Sequence, residues 1–238
     1  MSAFLYSVAL QWKLDLRNKG VLLTYYIVPL VFFFFIGGVF TSINPSSKNT
    51  LIQSMTVFGV TMGAFLGAPT PLAELYGSEI KKAYKVGGIP LYVAAVNNFI
   101  SAFIHLYIMS LVIFLIAPIT FNASYPTNLV LYFISLAIFI IACLAVGTAL
   151  GLLVRNGSKL TMVSQLIFLP SIMLSGIMFP TDILPGILKN IGMIFPATWG
   201  FEIMKHKSIA FLSLLPLLVI LVIAVSIGIW QITRLKAD

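Results

Sequence analysis

The 238-residue chain has one cysteine, two histidines and only six acidic residues. Cys143 alone excludes an internal disulfide framework and any cysteine-based zinc cluster. Charged residues make up 8% of the chain, against about 25% in soluble proteins. Hydrophobic residues make up 60%, and the mean hydropathy is +1.08. A chain this apolar cannot cover itself with polar surface, so it reads as an integral membrane protein. No GxxxxGK[ST] phosphate loop occurs in it, so the chain carries no such nucleotide site of its own.

What it does contain is long apolar runs. A helix crosses the hydrocarbon core in about 20 apolar residues. Six stretches free of Asp, Glu, Lys and Arg qualify, at about 21–42, 51–73, 91–118, 128–154, 160–180 and 208–233. The expected fold is an all-α polytopic membrane protein, a single transmembrane domain over 1–238. Pro118, Pro126 and Pro180 fall at expected ends, whereas Pro29, Pro170 and Pro216 fall inside or near the ends of spans.

Basic residues set the orientation. Lys13, Arg17, Lys19, Lys81, Lys82, Lys85, Arg155, Lys159, Arg234 and Lys236 fall on one side, which takes ten of the fourteen. Lys48, Lys189, Lys205 and Lys207 fall on the other. Both termini are therefore expected in the cytoplasm. The formal net charge of +8 is topological, with no nucleic acid as partner. The first apolar run is too long for a signal-peptide core, and no small-x-small site follows it.

Ahead of the first run, residues 2–18 have helical periodicity. Phe4, Leu5, Val8, Ala9, Trp12 and Leu16 share one arc, with Ser7, Gln11, Lys13, Arg17 and Asn18 largely opposite. Leu10, Leu14 and Asp15 break the pattern. This predicts an amphipathic interface helix with Trp12 at headgroup depth, either as a plain anchor or as a docking surface for a cytoplasmic partner. The cytoplasmic loop 74–90, ELYGSEIKKAYKVGGIP, pairs Glu79 with Lys82 at i,i+3 on a short helix that Gly87-Gly88 ends. The external segment 180–207 carries apolar residues at helical spacing, too interrupted by Pro185, Gly186, Gly192 and Pro196 to be a seventh span.

At these two segments the chain resembles permease subunits of the type-2 ATP-binding-cassette exporters. The run at 169–206, LPSIMLSGIMFPTDILPGILKNIGMIFPATWGFEIMKH, is similar to the family pattern of a span ending in SG…FP, a short proline-containing helix and a final span. Glu79 and Pro90 match the family spacing of acidic residue to proline. Lys81 departs from it, since the family usually has glycine there. The resemblance implies two permeases, identical or different, working with two cytoplasmic ATPase subunits that carry the ATP and magnesium. It makes Glu79, Lys81, Lys82, Lys85, Gly87 and Pro90 the coupling element, and Trp12, Lys13 and Arg17 part of the interface helix. Ser175, Gly176, Phe179, Pro180, Pro185 and Pro196 become an external re-entrant element capping the exit. It also places the chain in a prokaryotic plasma membrane.

Gln53, His105 and Gln165 are polar groups inside apolar runs. Each either faces a substrate path or serves as helix–helix glue. Glu202 and His206 lack the two-histidine spacing of a zinc protease, and a structural ion pair suits them better. Phe32–Phe35 read as lipid-facing, Cys143 as a packing residue, and Gly147 with Gly151 as a close-contact spacing. The apolar bundle without intramembrane acids favours an amphipathic or hydrophobic cargo, and the resemblance implies its export, as a compound of the drug or antibiotic class. Ion-coupled transport needs buried acids that the spans lack. A hydrolase needs a nucleophile with a base, for which only His105 and His206 are available, and His105 has no acidic partner within any span. A membrane sensor or assembly protein stays open as the alternative.

Overall fold

The computed structural model describes residues 3–78, 84, 86–205 and 211–237. All regular structure among them is helical. The elements are α1 (Ala3–Arg17), α2 (Lys19–Ile43), α3 (Leu51–Gly77), α4 (Tyr92–Phe121), α5 (Leu129–Leu153), α6 (Gly157–Met173), α7 (Gly186–Gly192), α8 (Pro196–Lys205) and α9 (Phe211–Ala237). Asparagines start several of them. Asn18 Oδ1 accepts the Gly20 amide at 2.9 Å, Asn128 accepts Leu131 at 3.1 Å, and Asn156 accepts Lys159 at 3.0 Å. Each supplies one of the orphan donors of a helix start. At the other end, Asn122 takes the left-handed conformation that stops α4 (φ 52°).

Among the described residues, five helices are long and apolar enough to cross a membrane: α2, α3, α4, α5 and the stretch Leu212–Arg234 of α9. The expected crossing at 160–180 is helical only to Met173. Its 17 residues rise about 25 Å, short of a hydrocarbon core of about 30 Å. The chain turns there because Gly176 has φ +86°, a conformation that L side chains rarely adopt. Pro118 also differs from expectation. It lies inside α4, which continues to Phe121. Its missing N–H forfeits the i→i−4 hydrogen bond to Phe114 O, and the helix runs only three residues further.

The helix α3 is the pillar of the molecule. Of its most apolar stretch 94% is buried, against 17% for α9 and 22% for α2. Its polar residues Gln53, Ser54, Thr56 and Thr61 are buried with it. Thr56 Oγ1 lies 2.9 Å from the Tyr132 hydroxyl of α5, and Thr61 donates to Val57 O at 2.7 Å. The contact with α5 is backbone to backbone. A Cβ on Gly147 would overlap the carbonyl oxygen of Ala64, and one on Gly151 would lie 2.6 Å from that of Pro69. The four-residue glycine spacing therefore brings two helices together. Cys143 is fully buried on the same helix.

Two spans contain π turns, Leu23–Ile27 in α2 and Gly63–Gly67 in α3, and the two turns touch. Tyr25 fills the space at Gly63 and Gly67, where any Cβ would meet its ring. Such turns are uncommon and gather at functional sites. Of the phenylalanine run, Phe33 is fully buried and Phe32, Phe34 and Phe35 face outward.

Candidate functional sites at the two ends of the bundle

The first site is a polar seam where α1 meets α4. Asp15, which disturbs the periodicity of the sequence, is the most deeply buried of the residues described in α1. Its Oδ2 accepts the Ser101 hydroxyl at 2.6 Å, and its Oδ1 accepts Gln11 Nε2 at 2.9 Å. Burial pushes its carboxyl above the ordinary carboxylate value, more than those two hydrogen bonds pull it down. The Ser7 hydroxyl lies 3.2 Å from Asn97 Oδ1 of α4. Asn98 Nδ2 donates to Ala68 O at 3.0 Å, so α4 also holds α3 just past its π turn.

His105 stands at the centre of this seam, with no exposed surface. The Trp12 ring stacks on it with centroids 5.9 Å apart, and Tyr25 of the first π turn stacks at 5.5 Å. The Tyr26 hydroxyl is 2.7 Å from His105 Nδ1. Among the described residues, Trp12 Nε1 and His105 Nε2 are buried and find no hydrogen-bond partner. One histidine thus joins α1, the first span and the third. Lys13 and Arg17 lie on the exposed side of α1, beside Leu10 and Leu14.

The second site is a cavity of about 580 Å³ at the opposite end of the bundle. Its walls come from the end of α2, the 3-10 turn Pro45–Asn49, the start of α3, the turn after α6, and α8. Gly176, Phe179 and Pro180 line it, with Phe40, Phe201, Asp182, Glu202 and Lys205. Ser175 is buried at its edge, its hydroxyl donating to Ile172 O at 2.8 Å. Below the cavity, α8 is pinned to the end of α7. Thr198 Oγ1 donates to Gly192 O at 2.6 Å, and Trp199 Nε1 to Met193 O at 2.7 Å. Pro196 is buried at the start of α8, and Gly200 lies so close to Phe139 that a side chain there would displace the ring. Pro185 precedes α7 at the exposed surface.

Of the expected path residues, Gln53 is buried near the start of α3, with Oε1 unpartnered among the described residues. His105 lies in the polar seam, and Gln165 is exposed on α6. These three are not brought together. In the expected coupling loop, Gly87 and Pro90 are exposed. Beside them the Ile89 amide bonds Tyr84 O at 2.9 Å. Glu79, Lys81, Lys82 and Lys85 lie outside the described residues, as does His206.

Residues 2–206 match the family model of the ABC-2 type transporter. The chain belongs to that family. The match runs from α1 through α8, and so includes both the polar seam and the outer cavity. No curated protein matches the chain. As an ABC-2 permease it is a membrane transport component rather than the catalytic ATPase, and permeases of this family normally work with an ATPase subunit.

Sequence reasoning did not single out Asp15, Tyr25, Tyr26 and Ser101 as one cluster. The available signal was Asp15 itself, one carboxylate on the edge of an apolar arc.

Proposed function

We propose that the chain is the permease half of an ATP-driven exporter that moves an amphipathic or hydrophobic compound of the drug or antibiotic class out of a prokaryotic cell. The observation that carries this reading is the polar seam. An interface helix held to two spans by buried polar groups is a mechanical connection, whereas a lipid anchor needs only an apolar face. ATP and magnesium belong to two copies of a separate ATPase, and a second permease, the same or different, completes the assembly. Glu79, Lys81, Lys82, Lys85, Gly87 and Pro90 receive the push beside α1. The short α6 then makes the sixth crossing together with the turn that follows it, which returns both termini to the cytoplasm. The segment 180–207 is a re-entrant cap on the exit, with Gly176 and Phe179 at the gate. Gln53 is the path residue closest to that exit, and His105 and Gln165 are tested as path residues beside it.

The test is purification from native membranes in mild detergent, with mass spectrometry of the intact complex. A stoichiometric ATPase subunit supports the reading. An intact complex without one favours a sensor or a gradient-driven transporter.

A further inference from the structure

The outer cavity has a chemical bias that its position alone does not give. Three aromatic rings, Phe40, Phe179 and Phe201, stand in its wall. Among the described residues, the formally charged lining residues are two carboxylates, Asp182 and Glu202, against the one ammonium of Lys205. Two of the five lining hydroxyls shift the balance the same way. The Ser46 hydroxyl donates to Asn44 Oδ1 at 2.7 Å, and the Ser54 hydroxyl donates to Thr50 O at 2.8 Å. Both protons are committed within the wall, so each oxygen meets a ligand as an acceptor. An acceptor-weighted cavity suits a ligand that brings donors or positive charge. The Phe201 ring already receives a cation, with Lys205 Nζ 5.6 Å from its centroid, inside the range of a cation–π contact.

We infer that this cavity binds an amphipathic cation, its apolar body against Phe40, Phe179 and Phe201 and its charge toward Asp182 and Glu202. The volume of about 580 Å³ is that of a site for one drug-sized molecule. A neutral polyol fits less well, because it would meet committed hydroxyls and three rings. A lipophilic anion would meet the carboxylates. This assignment rests on the exporter reading for its role as an exit site, but the binding itself does not require the ATPase.

The experiment compares tetraphenylphosphonium with tetraphenylborate, ions of nearly one shape and opposite charge, on the full chain in nanodiscs of zwitterionic lipid. Equilibrium dialysis with empty nanodiscs subtracted gives the protein-specific part. Saturable binding of the phosphonium alone is expected, weakened about fivefold to tenfold in D182N or E202Q and further in F179A. Equal binding of both ions by the unaltered protein overturns the inference without any variant. So does phosphonium binding that the D182N/E202Q double variant leaves unchanged. Phosphonium binding with no ATP-dependent export by the assembled complex keeps the site and sinks the exporter reading. Export without saturable binding at this cavity does the reverse.

Discussion

Trp12 and His105 lie face to face, ring planes within 20° of parallel, although 93 positions separate them in the chain. This pair seats the N-terminal helix against the third span. Aromatic pairs add about 0.5–1.5 kcal/mol beyond the area they bury. W12A should loosen α1, seen as faster amide exchange over residues 3–17 and reduced transport. W12F keeps the ring and discards a buried N–H that has no partner among the described residues. It should be at least as well protected as the parent. If W12A and W12F exchange alike, the stack does not hold the helix.

Asp15 gives the seam a pH dependence. Its carboxyl titrates above the ordinary 3.8 when α1 is docked, chiefly through burial. The docked state therefore binds more protons than the undocked one, and docking strengthens as pH falls through the docked value toward 3.8. Besides Ser101 and Gln11, the group that faces it is the Tyr25 hydroxyl, which in turn belongs to the ring stacked on His105. D15N should remove most of this dependence while keeping the Ser101 contact. Amide exchange of α1 measured across the acidic range distinguishes the two, and an unchanged slope in D15N would assign the effect elsewhere.

At Gly147 the backbones of α3 and α5 meet with no room for a methyl group. G147A should separate two helices that the rest of the bundle leans on, costing about 1–3 kcal/mol by overpacking. G157A is the control, because nothing lies within 4 Å of a Cβ there. The temperature of thermal aggregation in detergent should fall well below the parent's for the first and match it for the second.

The topology predicts which positions a membrane-impermeant thiol reagent can reach from outside. Lys189 on α7 and Lys159 on α6 are both exposed. Since Cys143 is buried, a cysteine introduced at either position reports alone. K189C should label in intact cells and K159C only after permeabilisation. The opposite pattern reverses the orientation.

Coupling is assigned to the loop before α4. E79K, or a proline at Ala83, should leave insertion and expression unchanged and lower transport at least tenfold. Equal transport by both variants would remove the loop from the mechanism.

The long helices were legible because hydropathy reports where a chain enters and leaves lipid. Hydropathy does not report where an apolar helix stops inside the protein, so the run at 160–180 read as one span although the chain turns at Gly176. Nor does it assign partners. Asp15 spoiled a pattern, and only the third dimension supplies Ser101, beyond two intervening spans, as its donor. The glycine pair at 147 and 151 was visible as a spacing, but its target, the π turn of α3, carries no sequence mark that separates it from ordinary helix. Gln53, His105 and Gln165 shared polarity in apolar runs. Polarity alone says nothing of depth or face, and the three lie apart.

The burial of α3 limits how a second permease can approach. A helix already enclosed by its own chain has no face left for another copy. Any partner in the membrane must be met by helices that still turn apolar side chains outward, such as α2, with Val31 and Phe35, and α6, with Leu166 and Leu169. In such a pair α3 would behave as an axle inside each half, and relative motion of the halves would be felt there through what α2, α4, α5, α6 and α8 pass on.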